Sequence, residues 1–226
     1  VAQYNGTFSS VGNGMNTEVN SVIVGRDGYL YATGIFSTAS NIAASRVARF
    51  SGLGWLTMAS GINGNGNGLA VDNDGNILVA GGMTQGGGGG GAVGSCAVIK
   101  WNVSSSAWQT VVSGLRAITT GDDTNATDVA VAKNGDIWTV GTFLGPTGFS
   151  SCRVAKYSQS SSAWQAVGGS GISTASNSAN GAQSIVLTSD GTAHIGLNLS
   201  LATHGISTDY YTSNGFSFAQ AASIPN

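Results

Sequence analysis

Apolar residues fall in short runs of four to seven, each cut by a small polar turn. Val22-Ile23-Val24-Gly25 passes through Arg26-Asp27-Gly28 into Tyr29-Leu30-Tyr31-Ala32-Thr33-Gly34. The same cadence returns from Leu69 through Asp74-Gly75 to Gly81, and from Val129 through Asn134-Gly135 to Gly141. A weaker copy runs from Ile185 through Asp190-Gly191 to Gly196. The runs are too short and too β-branched for helices. Asp-Gly or Asn-Gly between them is a strong hairpin signal, and it predicts a two-residue turn with positive φ at both positions.

A second hairpin follows each of these. Val47-Ala48-Arg49-Phe50 leads to Trp55, Val98-Ile99-Lys100-Trp101 to Trp108, and Val154-Ala155-Lys156-Tyr157 to Trp164. The chain opens on the same element, Val1 to Gly6 leading to Phe8, and closes on Tyr210 to Phe216. Each unit therefore reads strand, tight turn, strand, long loop, strand, tight turn, aromatic strand, long loop. The Gly turns lie 47 to 60 residues apart, a period that suits four-stranded blades stacked around an axis. The expected fold is all-β: one β-propeller over 1–226, of four-stranded antiparallel blades. The repeats are placed at 1–46, 47–97, 98–153 and 154–209, with a terminal hairpin at 210–226. The count is four full blades after an opening half blade. A five-bladed ring, a piece of a larger ring, and closure between subunits all stay open.

The repeat resembles one found in bacterial, viral and metagenomic surface proteins, approximately V-x-A-x-A-V-D-x-x-G-N-L-Y-A-G-G-x-F followed by I-A-K-W-N-G-x-x-W. It is also similar to kelch repeats and to those of fungal cortical polarity-marker proteins. Leu69 to Gly82, Val140 to Phe143, Val154 to Tyr157 and Trp164 carry the likeness. Gly81-Gly82 alone keeps the kelch double glycine, and Ala193 to Gly196 departs most. The resemblance implies a mostly non-catalytic architecture without a shared ligand.

Composition narrows the partners. Charged residues make up 8% of the 226, and there are 36 glycines, against about 25% charged in an average soluble domain. A formal net charge of -2 gives no electrostatic case for nucleic acid or an anionic membrane. No run approaches the length of a membrane-spanning helix. The expected location is extracellular or on a virion surface.

Candidate chemistry is sparse. His194 and His204 come without a nucleophile motif, and no Cys/His metal spacing exists. Asp122-Asp123 with Asn125 and Asp128 could offer oxygens to calcium, but the spacing favours a solvated turn or cap. The expectation is no enzyme, no metal and no cofactor. Cys96 and Cys152 hold matching places in neighbouring blades, where the separation opposes a disulfide. The recurring aromatics read as inter-blade core more than as sugar-stacking platforms. Arg49, Lys100 and Lys156 share one strand position, taken here as an exposed edge, with an anion-binding ring as the alternative. The Gly86 to Gly91 run reads as a mobile loop.

A meander puts the Asp-Gly and Ser-rich turns on one side and the long loops on the other. Long loops on a rigid scaffold are where binding usually resides. The candidate ligand-binding residues are Asn63, Asn65, Asp122, Asp123 and Asn125. The expected function is recognition or adhesion, with a surface glycan or protein as partner. The alternative is a structural component of a virion or cell-surface assembly, bound to neighbouring subunits.

Overall fold

A computed structural model describes residues 1–83, 86, 97–111, 115, 125–143, 152–167, 182–197, 209–213 and 218–223, the last two segments by their backbone. Among the described residues the apolar runs form twenty strands, and those of the large sheets pair in simple antiparallel meanders. The opening hairpin is β1 (Ala2–Tyr4) and β2 (Phe8–Ser10). The first full sheet holds β3 (Val19–Val24), β4 (Leu30–Gly34), β7 (Val47–Phe50) and β8 (Trp55–Thr57). The second holds β9 (Gly66–Val71), β10 (Ile77–Gly81), β11 (Val98–Asn102) and β12 (Ala107–Thr110). The third holds β13 (Asn125–Val131), β14 (Ile137–Phe143), β15 (Cys152–Ser158) and β16 (Ala163–Ala166). The fourth holds β17 (Ala182–Leu187), β18 (Ala193–Leu197), β19 (Asp209–Ser213) and β20 (Phe218–Ser223).

The all-β, four-stranded blade architecture is as the sequence predicts. Each sheet begins at its inner strand, so the boundaries at 46, 97, 153 and 209 lie near the junction of second and third strands. The pair β5 (Thr38–Ala39) and β6 (Ile42–Ala43) builds a small hairpin inside the loop between β4 and β7. Its two-residue strands are too short to leave a periodic signal.

The core lies between blades. Inner strands pack in sequence, β3 on β9, β9 on β13, and β13 on β17. Four apolar clusters fill the four successive gaps. Val11, Ala32, Phe36, Ala48 and Trp55 seal the half blade to the first sheet. Tyr31, Val47 and Met58 meet Leu69, Ile77, Val79 and Trp101 in the next gap. Ala70, Leu78 and Ala80 meet Val129, Ile137, Phe143 and Trp164 in the third. Trp138, Val140 and Val154 meet Ile185, Ala193 and Ile195 in the fourth. Burying whole sheet faces this way removes apolar area that a single sheet would leave in water.

The aromatic pairs belong to this core. Phe50–Trp55, Trp101–Trp108 and Tyr157–Trp164 meet across strands at 5.2 to 5.6 Å between ring centroids, tilted or edge-on. Trp55 Nε1 donates to the Val11 carbonyl at 3.0 Å, and Trp108 Nε1 to the Met58 carbonyl at 2.9 Å. Each indole thus clips its blade to the end of the preceding one.

Two backbone devices repeat. The inner strand of every full sheet bulges at one residue, Asn20, Asn67, Thr127 or Gln183. Opposite the bulge stands a glycine of the second strand. A Cβ there would approach the Glu18 carbonyl oxygen to 2.1 Å at Gly34, that of Asn65 to 2.0 Å at Gly81, and that of Asn125 to 2.2 Å at Gly141. Backbone packed against backbone accounts for this glycine.

The tight turns depart from expectation. Gly28 N–H donates to the Gly25 carbonyl, and Gly25 N–H to the Tyr29 carbonyl. The turns at 72–76, 132–136 and 188–192 repeat this pairing. Only the glycine has positive φ, from 81° to 90° in the four turns, while Asp27, Asp74, Asn134 and Asp190 do not. These are three-residue loops, a type I turn closed by a left-handed glycine, and not the expected two-residue turns. The Asp27 carboxylate accepts from Tyr29 N–H, Asn134 Oδ1 from Asp136 N–H and Asp190 from Thr192 N–H, so the Asx residue caps the turn.

Candidate functional site

The short turns gather on one face and the long loops on the other, as antiparallel alternation requires. Several charges of the short-turn face serve structure. Lys100 pairs with Asp72 at 3.9 Å and Lys156 with Asp136 at 3.6 Å. Asp136 also accepts from Gln159 N–H, tying one tight turn to the other. Arg49 lies 5.0 Å over the Tyr29 ring, beside Tyr31, whose hydroxyl donates to Asp27. Burial and that bond to a carboxylate push the Tyr31 phenol well above its usual range. The basic series therefore sits on the third strand of the first three full sheets, hydrogen-bonded on both sides, and not on an exposed edge. Lys100 and Lys156 answer turn carboxylates instead of standing free for an anion.

A hydrogen-bonded chain also links the short turns. Arg26 Nη1 donates to the Asn73 carbonyl at 2.7 Å, and Asn73 Nδ2 to the Lys133 carbonyl at 3.0 Å. Between the third and fourth blades a cleft of about 450 Å³ opens instead, lined by Val131, Lys133, Leu187 and Ser189 among others.

The long-loop face is built differently. Asn63-Gly64-Asn65-Gly66-Asn67 alternates amides with glycines. The glycines lie flat on their neighbours: a Cβ at Gly64 would meet the Gly82 carbonyl oxygen at 2.1 Å, and one at Gly66 the Thr33 hydroxyl at 1.8 Å. Gly82 N–H donates to the Asn65 carbonyl at 3.0 Å. With this backbone clamped, the Asn63 and Asn65 side chains lie exposed to solvent.

The bulge turns Asn67 the other way, into the seam between blades. Its Nδ2 donates to Asn125 Oδ1 and to the Ala126 carbonyl, both at 2.8 Å. The bulge residues before and after it do the same work. Asn20 Nδ2 donates to the Gly66 carbonyl at 2.9 Å, and the Thr127 hydroxyl to the Ala182 carbonyl. This ladder crosses three blade junctions and is not visible in the sequence, because Asn, Asn and Thr share only the bulge position.

Of the five predicted site residues, three lie among the described residues. Asn63 and Asn65 stand on the exposed strip. Asn125 opens β13 and is not in a loop; it is half-buried, and its oxygen takes the Asn67 bond. Gly82 joins the two parts, since a Cβ there would sit 3.5 Å from Asn125 Oδ1. Asp122 and Asp123 lie outside the described residues, as do Cys96, His204 and most of the Gly86 to Gly91 run. Gly86 itself bridges Ile62, under the Trp108 ring.

Asp128, once weighed for calcium, faces inward. It accepts from Val129 N–H at 2.9 Å and from Ile185 N–H of the next blade at 3.0 Å. Burial raises its pKa despite these bonds. Among the described residues no three His, Cys, Asp or Glu side chains group as a metal cluster would need. The surface assembled here offers amides, hydroxyls and backbone groups, suited to a neutral polar ligand.

No protein family and no curated protein matches the chain by sequence. Its likeness lies with solved β-propellers. The extracellular domain of a hybrid two-component system from B. thetaiotaomicron aligns at a TM-score of 0.56 and 10% identity, over 92% of this chain and 22% of that one. A protein titled a gluconolactonase aligns at 0.54 and 11%, over 94% and 64%. A virginiamycin B lyase from Staphylococcus aureus aligns at 0.50 and 11%, over 95% and 72%. The chain spans less than two thirds of the first two. At such identities the likeness gives the β-propeller fold alone, and the neighbours include both enzymes and the extracellular domain of a two-component system. The kelch-like sequence resemblance gains no family match.

Proposed function

We propose that this β-propeller is a non-catalytic recognition module of an extracellular or virion surface, binding a glycan or protein through its long-loop face. The observation that carries the reading is the Asn63–Asn67 strip, which presents two exposed amides on a backbone packed closely against its neighbours. A preorganised amide donates and accepts at low ordering cost, as recognition of hydroxyls or peptide groups requires. The low charge of the chain suits a neutral polar ligand over an ionic one. The test is binding of the purified chain to glycan and surface-protein arrays. Asn63→Ala with Asn65→Ala is expected to weaken every positive signal by about tenfold or more. Signals untouched by the double change would refute the site.

A second reading, a building block of a surface assembly, has its own support. Large apolar side chains stand exposed at Tyr4, Phe8 and Val186.

A further inference from the structure

We propose that the cleft between the third and fourth blades binds a small carboxylate that carries an apolar body and one hydrogen-bond donor. The cleft lies on the short-turn face, away from the Asn63–Asn67 strip, so this goes beyond the recognition reading and does not depend on it. The cleft arises from a break in a repeated contact. The second residue of each tight turn is Arg26, Asn73, Lys133 or Ser189. At the first two junctions between full blades this residue reaches the next turn in two ways. Arg26 Nη1 donates to the Asn73 carbonyl at 2.7 Å, and Asn73 Nδ2 to the Lys133 carbonyl at 3.0 Å. The same side chains cover the glycine of that next turn. A Cβ at Gly75 would lie 3.6 Å from Arg26 Cβ, and one at Gly135 would lie 3.6 Å from Asn73 Nδ2.

At the third junction neither contact forms. Among the described residues the Lys133 ammonium makes no hydrogen bond or ion pair. The Ser189 carbonyl, which holds the acceptor's place, receives no bond. A Cβ at Gly191 would find nothing within 4 Å. The space left is the cleft of about 450 Å³, a size that suits a small molecule. Lys100 and Lys156 are paired with turn carboxylates and Arg49 lies over Tyr29. Lys133 is therefore a cation that a ligand can claim without breaking a bond of the protein.

The walls set the chemistry of the occupant. Val131, Ala132 and Leu187 line the cleft and are half-buried. Ala132 and Leu187 pack on the core between these two blades, so the floor is the open end of that core. Above it Lys133 offers a positive charge and Ser189 a carbonyl. Asp190 is exposed and does not line the cleft. Its carboxylate is held within its own turn by the Thr188 hydroxyl and Thr192 N–H. A carboxylate at Lys133, an N–H at the Ser189 carbonyl and an aliphatic body over the floor satisfy all three walls at once. An N-acylated apolar amino acid has this chemistry. Apolar burial supplies most of its affinity, and the ion pair selects for its charge.

The experiment titrates N-acetyl-L-leucine into the intact chain and follows the backbone amide signals of Lys133, Ser189 and Gly191 by NMR. The result expected is a saturable shift of these signals with a Kd of about 1 mM or tighter. N-acetyl-L-leucinamide, which keeps the body and the donor but lacks the charge, is expected to bind about fivefold or more weakly. Lys133→Met keeps the apolar stem and should lose the same factor for the acid. The comparison of the two probes stands on the native chain alone should the variant fail to fold. Asn63→Ala/Asn65→Ala is expected to bind the acid as the native chain does, which separates this site from the long-loop face. No saturable shift at about tenfold the expected Kd, equal binding of the acid and the amide, or shifts confined to residues outside the cleft would each overturn the proposal.

Discussion

Two residues from one motif separate what a glycine does from where it stands. Gly81 and Gly82 are adjacent, yet a side chain at Gly81 would collide with the Asn65 carbonyl at 2.0 Å, while one at Gly82 finds its nearest neighbour at 3.5 Å. Gly81→Ala should cost about 3 kcal/mol or more by forcing the bulge apart. Gly82→Ala should cost far less, and denaturant unfolding of the two variants checks the contrast. Asp128 supplies a pH signature. Its burial raises the folded pKa above the unfolded one, so the folded state holds the proton more tightly. Its contribution to stability is then full below the ordinary carboxylate pKa and is lost as pH rises through the higher folded value. Asp128→Asn should flatten that decline in a series of melts from acid to neutral pH. Asp190 acts oppositely: the Thr188 hydroxyl and Thr192 backbone hold its carboxylate down to about 2, so its contribution is lost as pH falls through that value.

At the scale of elements, the inter-blade ladder is the device that sets blade on blade. Asn67→Ala should remove two bonds at 2.8 Å and leave the Ala126 carbonyl seeking a partner, lowering stability by about 1 to 3 kcal/mol in chemical denaturation. Asn65→Ala, one residue pair away on the exposed strip, should leave stability unchanged. Strands, hairpins and blade order were legible because the Asp-Gly and Asn-Gly turns and the aromatic positions repeat. The turn geometry was not: an Asx-Gly pair fits both a two-residue turn and a three-residue one, and only the hydrogen bonds decide. The ladder was hidden because bulges shift side-chain alternation by one residue. Asn125 looked like a loop amide and proved to be a strand residue joined to Asn67 of the preceding blade. The basic series was misplaced for a related reason, since sequence order does not say which strand of a meander is flanked on both sides.

The two broad faces of the β-propeller differ in make-up. The short-turn face carries the Lys100–Asp72 and Lys156–Asp136 pairs, and the long-loop face exposes the Asn63 and Asn65 amides. The candidate site was legible as a face, because alternation forces the long loops together. Of the residues expected there, Asn63 and Asn65 are exposed. The central claim is that recognition resides on that face and not on the exposed apolar side chains. The most direct measurement compares the native chain, Asn63→Ala/Asn65→Ala and a variant of two exposed valines, Val22→Asp/Val24→Asp, on one glycan and surface-protein array. The account predicts that the asparagine variant loses binding while the valine variant keeps it. Binding that survives in the asparagine variant and vanishes in the valine variant would contradict the account and assign recognition to the exposed apolar side chains.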